Sequence, residues 1–275
     1  MLNVSIIGAG NLSNCLIASL VVDKDIKLNF IYNRTSTKID KLLENITRVY
    51  EITPSTLPLR TEKFEDLLIS DLIILAVSDT AIDYYVKKLA DNNSNNKPCI
   101  LHCSGATSIS AFSLLDKKGY DYGVFYPLMT FSKSKEISFQ GMEVFYEESN
   151  NKAREYIYEL SNILGTNLTY LSSEDRLRLH IAGVFSSNFI SYLLGLAFDL
   201  AGPSREFLMP LALEALRKSF LLSPRSTRTG PAVREDYHTI ESHINLLQEL
   251  KLEDHLEIYQ SITEKIISEK KKHIR

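Results

Sequence analysis

Gly8-Ala9-Gly10 closes the apolar run Val4–Ile7 and opens a stretch with helical spacing. Glycines at a strand-to-helix turn let backbone approach a pyrophosphate, and the helix behind offers free N–H groups and its positive dipole end. On that reading Gly8 permits the turn, Gly10 lacks the Cβ that would block a phosphate, and Asn11 and Leu12 start the helix beside it. The third glycine of the usual pattern is replaced by Ser13, which is small enough to keep helix and strand close. A plain tight turn is the alternative.

The next apolar run ends in "IYNRT", placing Asn33, Arg34 and Thr35 where an NAD site carries an acidic residue for the ribose 2′-OH. A carboxylate there would repel a 2′-phosphate. Arg34 would instead make a charge-assisted contact with it, aided by Asn33 and Thr35. The cofactor expected is therefore NADP(H) rather than NAD. Val77 and Ser78, after the buried run "LIILAV", fall at the same sheet edge, and Asp79 either caps the next helix or reaches the cofactor.

Three further groups could do chemistry. His102 and Ser104 in "LHCSGA" end a strand where a substrate or nicotinamide would approach, unless His102 is a buried, hydrogen-bonded histidine. At 3.6 residues per turn, His180, Val184 and Asn188 share one broad helix face. Arg225, Arg228 and Arg234 flank a Gly-Pro loop. They would either receive a carboxylate or phosphate or form an interface loop, with Arg234 paired to Asp236 or Glu235. No metal is expected: His238 and His243 are five apart, too far around a helix to share an ion, and Cys99 and Cys103 read as near-core thiols.

The elements that must position these groups are legible. Candidate strands Val4–Ile7, Lys27–Tyr32, Leu72–Val77, Cys99–Cys103 and Tyr122–Phe125 alternate with helices Leu12–Val21, Thr37–Tyr50 and Thr80–Asp91. Runs without polar alternation fit a parallel sheet covered on both faces, so the pattern predicts an α/β, doubly wound, mostly parallel sheet. Glu143–Tyr146, a helix at Lys152–Leu164 and a strand at Asn167–Leu171 extend it. After "SSED", with Ser173 as a helix start, almost only helices follow. The predicted division is 1–172, cofactor domain, and 173–275, a helical substrate and dimerisation domain.

Composition narrows the class. A net charge of -3 and 44% hydrophobic residues give no electrostatic reason to expect nucleic acid or an anionic membrane. The Lys270-Lys271-Lys272 run reads as a solvated helix end, and three cysteines argue against a disulfide framework. No basic, apolar leader opens the chain and no apolar run is expected to span a bilayer, so a cytoplasmic protein is expected.

"GAGNLSNCL", "NRT", "ILAVSDTAI" and "LHCSGATS" together resemble the NADP-binding domains of pyrroline-5-carboxylate reductases and deazaflavin-linked NADP oxidoreductases. "HIAGVFSSNFISYL" and "RTGPAVREDYHTIESHINLL" resemble a family of Rossmann-fold, presumed NADP oxidoreductases whose C-terminal part is known as domain of unknown function 2520. The resemblance implies a Rossmann domain, a helical domain like that of 6-phosphogluconate dehydrogenase, and a homodimer through the C-terminal helices. Hydroxyacid dehydrogenases with such a domain use a Lys and an Asn four apart. Asn188 matches the Asn, Val184 stands in the Lys position, and His180 one turn earlier would replace it. Tyr126 precedes Pro127 where relatives are expected to carry His, and Glu235 stands where Gly is usual.

The sequence thus predicts an NADP(H)-dependent oxidoreductase of a small carbonyl, hydroxy or imine compound, its reacting centre near Ser104, His102, His180 and Asn188 in a cleft between the domains. The alternatives are a non-catalytic NADP-binding sensor and a pyrroline-5-carboxylate reductase-like enzyme.

Overall fold

The computed structural model describes residues 1–132 and 137–273. Eight strands form one sheet: β1 Leu2–Ile7, β2 Ile26–Tyr32, β3 Leu59–Arg60, β4 Leu72–Leu75, β5 Cys99–His102, β6 Tyr122–Pro127, β7 Glu143–Glu148 and β8 Asn167–Tyr170. Their order is β3-β2-β1-β4-β5-β6-β7-β8. All neighbours are parallel except β6 and β7. The doubly wound, mostly parallel sheet expected from the sequence is the one formed. Residues Leu72–Leu75 of β4 are all buried, as an unalternating apolar run requires of a strand covered on both faces. Burying each such side chain contributes about 1.5–3 kcal/mol.

Helices α1 Asn11–Leu20, α2 Ser36–Tyr50, α3 Asp79–Ala90, α4 Ser113–Asp116 and α5 Asn151–Leu164 cover the sheet. The chain then continues as α6 Ser173–Gly183, a π-helical turn Val184–Asn188, α7 Phe189–Ala201, α8 Leu208–Leu221, α9 Pro224–Thr227, α10 Pro231–Arg234, α11 Tyr237–Glu249 and α12 Glu253–His273. The helical C-terminal region matches expectation. The very short β3 is the strand that sequence reading passed over.

Three expectations differ from what is observed. The chain divides into compact units at Met1–Asn188 and Phe189–Arg275, later than residue 172. Helix α6 stays with the sheet because Arg176 is bonded to Glu147 of β7 and to the loop after β5. The cap of α6 is Ser172, whose hydroxyl accepts from the Asp175 N–H, and not Ser173. Finally, Ser173–Leu221 is a helical run long and apolar enough, by length and composition, to cross a membrane. Sequence reading missed it because no single stretch is uninterrupted by Ser, Asn or Asp.

In the second unit Arg225 and Arg228 both pair with Glu269. Asp236 caps α11 by accepting from Thr239. Lys270 pairs with Glu235, and the bonds from Thr239, followed by the Arg234 charge, are among the causes that lower the Asp236 pKa. The side chains of Lys271 and Lys272 lie outside those described.

Candidate active site

The sheet order reverses at β1 and β4, and a crevice outside the carboxyl ends of such strands is where open α/β sheets hold ligands. A cavity of about 390 Å³ lies there, lined by Gly8, Gly10, Asn11, Leu12, Asn33, Arg34, Val77 and Ser78 from the predicted set. Ser104 lines it as well. Thr35 does not; it is the N-cap residue of α2.

Gly8 is required twice over. Its φ is +121°, and an added Cβ would collide with the Ala76 carbonyl. Its N–H donates to the Tyr32 carbonyl at 2.8 Å, locking the turn to β2. Ser13, in the place of the third glycine, is fully buried and its hydroxyl donates to the same Ala76 carbonyl at 3.3 Å. The small residue thus packs helix on strand, as expected. Gly10, by contrast, has open space within 4 Å of where a Cβ would sit. It is the N-cap of α1, with no side-chain cap and no acidic residue in the first turn. The first N–H groups of α1 and its positive dipole end therefore stay available to an anion.

Arg34 and Lys38 both line the cavity. Lys38 was missed by sequence reading, although a helix beginning at Ser36 brings it back toward Arg34 one turn on. The Arg34 guanidinium lies over the Tyr84 ring, 5.6 Å from its centroid. Asp79 lines the cavity too, and it is the first residue of α3 rather than its cap: Ser78 is the N-cap residue, with no side-chain cap bond.

At the other end of the cavity, Ser104 is tied into its own loop. Its hydroxyl accepts from the N–H groups of Ala106 and Thr107 and donates to the Thr107 hydroxyl. His102 is fully buried, and its Nδ1 accepts from the Ser104 N–H at 3.2 Å. The proton of the neutral ring therefore sits on Nε2, which has no hydrogen-bond partner among the described residues. Burial, and next the Arg176 charge, push its pKa down to about 3. His102 is neutral at physiological pH and shapes the loop. Its setting is that of the buried, hydrogen-bonded histidine given as the alternative reading.

A second candidate, His180, is not among the residues lining the cavity. Its Nδ1 lies 3.1 Å from the Tyr126 hydroxyl, with the two rings edge to face. Gly105, directly after Ser104, makes this possible: a Cβ there would lie 2.6 Å from His180 Nδ1 and 2.7 Å from Tyr126 Cζ. Burial, and then the nearby Asp79 carboxylate, raise the Tyr126 pKa, so the phenol stays protonated at neutral pH. Sequence reading had noticed Tyr126 only as a departure from relatives. Asn188 is not gathered here: it is exposed, and its Oδ1 accepts from the Ser187 hydroxyl. The π-helical turn over Val184–Asn188 adds a residue to the turn and breaks the 3.6-residue spacing that would align Asn188 with His180.

Behind this cluster lies a buried ion pair. The side chain of Arg176 is wholly buried; it donates to Glu147 Oε2 at 2.6 Å and to the Thr107 carbonyl at 2.7 Å. Ser173 donates to the same carboxylate at 2.6 Å and accepts from the Ile109 N–H. One guanidinium thus joins β7, the loop carrying Ser104 and the helix carrying His180.

Residues 144–266 match the family model described as "Domain of unknown function (DUF2520)". Among solved structures, a presumed NADP oxidoreductase from Bacteroides fragilis is similar at 25% identity and a TM-score of 0.79, covering 97% of this chain and 98% of that one. A reductive aminase from Aspergillus terreus, in complex with NADPH and ethyl levulinate, is similar at 16% identity and TM-score 0.66, covering 98% and 94%. A pyrroline-5-carboxylate reductase from Coxiella burnetii is similar at 18% identity and TM-score 0.53, covering 98% of each chain. No curated protein matches the sequence. The chain therefore shares its Rossmann-type fold with these structures over nearly its whole length, and its segment 144–266 is similar to the DUF2520 model.

Proposed function

We propose that the chain is an NADP(H)-dependent oxidoreductase acting on a small carbonyl, hydroxy or imine compound. The observation that carries this reading is the single cavity that begins at the glycine turn and ends at Ser104, with Arg34 and Lys38 along its wall. The residues fit the cofactor. Open space at Gly10 and the uncapped start of α1 suit a pyrophosphate, and two cations with no acidic residue at the end of β2 suit a 2′-phosphate. The NADPH complex of the similar reductive aminase supports the same choice.

When bound, the cofactor supplies hydride exchange at its nicotinamide. The chain supplies orientation and a proton. Ser104 and its loop form the floor at the far end of the cavity. Next to that floor, Tyr126 and His180 hold a proton between the phenol oxygen and Nδ1, ready for a substrate oxygen or nitrogen. Such a group typically contributes 10²–10⁴-fold. Turnover of a panel of small ketones and cyclic imines with NADPH is therefore expected to fall by about that factor in His180→Ala and Tyr126→Phe, with NADPH affinity within about twofold of wild type. Turnover unchanged by both substitutions would remove the pair from the chemistry.

The proposal includes a homodimer through the C-terminal helices, supported by the exposure of Phe207, Leu211 and Phe220 at 75%, 70% and 84%. Large apolar side chains this open mark a protein or membrane contact. Sedimentation should show a dimer that Phe220→Asp weakens. A monomeric wild type that partitions onto lipid vesicles would contradict this reading.

A further inference from the structure

Tyr84 has no place in the cavity wall and none in the proton chemistry, yet Arg34 lies on its ring. We infer that Tyr84 is a specificity-determining residue: it positions Arg34 for the 2′-phosphate and thereby sets the preference for NADPH over NADH. The inference rests on the cofactor reading above and extends it to a residue that would not touch the cofactor.

An exposed arginine on a βα loop has many rotamers, and fixing it for a phosphate sacrifices their entropy. Arg34 is exposed, and no carboxylate pairs with it among the described residues. The Tyr84 ring is the support it has. At 5.6 Å from the centroid, the guanidinium carbon is within the roughly 6 Å reach of a cation–π contact. Stacking occupies one face of the guanidinium and leaves its in-plane N–H groups free, and those are what a phosphate takes.

The platform is itself anchored. Tyr84 packs edge-on against Tyr85, with centroids 5.0 Å apart. Tyr85 is buried and lines the cavity. Tyr85 packs in turn against Tyr32 at the end of β2 and against Phe64. Consecutive residues of α3 thus form the support: Tyr85 anchors Tyr84, and Tyr84 carries the Arg34 side chain. Lys38, the other cation of the cavity, has no aromatic platform among the described residues, so the effect is specific to Arg34.

The test is a titration of NADPH and NADH against the full chain as wild type, Tyr84→Leu, Tyr84→Phe, Arg34→Ala and Arg34→Ala/Tyr84→Leu. Tyr84→Leu should weaken NADPH by about three- to fivefold, the size of an exposed cation–π contact, and leave NADH within twofold. Tyr84→Phe keeps the ring and should restore the preference. In the Arg34→Ala background, Tyr84→Leu should have no further effect, since the two residues act as one unit. Equal weakening of both nucleotides would overturn the inference, because Tyr84 would then stack on the shared adenine or support the fold generally. So would an unchanged NADPH affinity in Tyr84→Leu. Wild type that binds neither nucleotide would instead refute the cofactor reading, and this inference with it.

Discussion

Arg176→Met is expected to cost the chain about 3–5 kcal/mol of stability, because it leaves the Glu147 carboxylate with an unpaired charge at a largely buried site. The arginine side chain is wholly buried and that of Glu147 is 13% exposed, so solvent screens the pair little. The carboxylate loses a 2.6 Å bond from the guanidinium and keeps only that from Ser173. The Thr107 carbonyl loses its donor as well. Arg176→Met/Glu147→Leu should be markedly less destabilised than Arg176→Met alone, since removing both charges removes the penalty of the orphan. Urea unfolding of the three proteins measures this. A loss below about 1 kcal/mol in Arg176→Met would show that the pair is not the tie between β7, the Ser104 loop and α6.

That tie illustrates what the sequence could and could not disclose. Arg176 and Arg178 stand two apart in "EDRLRLH", and nothing in composition separates them. The first is buried on Glu147, while the second is exposed on Glu174 and Asp175 of its own helix. Only the tertiary arrangement of β7 and the loop after β5 assigns the difference. The same arrangement recruits Ser173, expected as a helix cap, into the ion-pair network and leaves the cap to Ser172.

The cofactor end was more legible because its constraints are local. A glycine that must take a positive φ, a helix start without a cap, and an arginine where an acid is usual each follow from a few adjacent residues. Gly8, Gly10 and Arg34 line one cavity. Thr35, only one position further on, is the N-cap residue of α2 and is not among the lining residues. The reacting end joins residues distant along the chain: Tyr126 and His180 are 54 residues apart and meet only because Gly105 leaves space. Periodicity places His180 and Asn188 on one helix face, and a π-helical turn over Val184–Asn188, which no residue pattern announces, breaks that spacing.

Direct binding tests, without knowledge of the substrate, whether this cavity is an NADP(H) site read by Arg34. Losing a charge-assisted contact to the 2′-phosphate costs about 1.5–3 kcal/mol, or roughly ten- to a hundredfold. A fluorescence or calorimetric titration should show NADPH binding at least about tenfold tighter than NADH to the wild type, with Arg34→Ala losing most of that preference while NADH affinity holds. Equal affinity for the two nucleotides, or a preference that survives Arg34→Ala, would contradict the assignment of the 2′-phosphate to Arg34. If neither nucleotide bound at physiological concentration, Gly8-Ala9-Gly10 would be a structural turn and the oxidoreductase reading would fall.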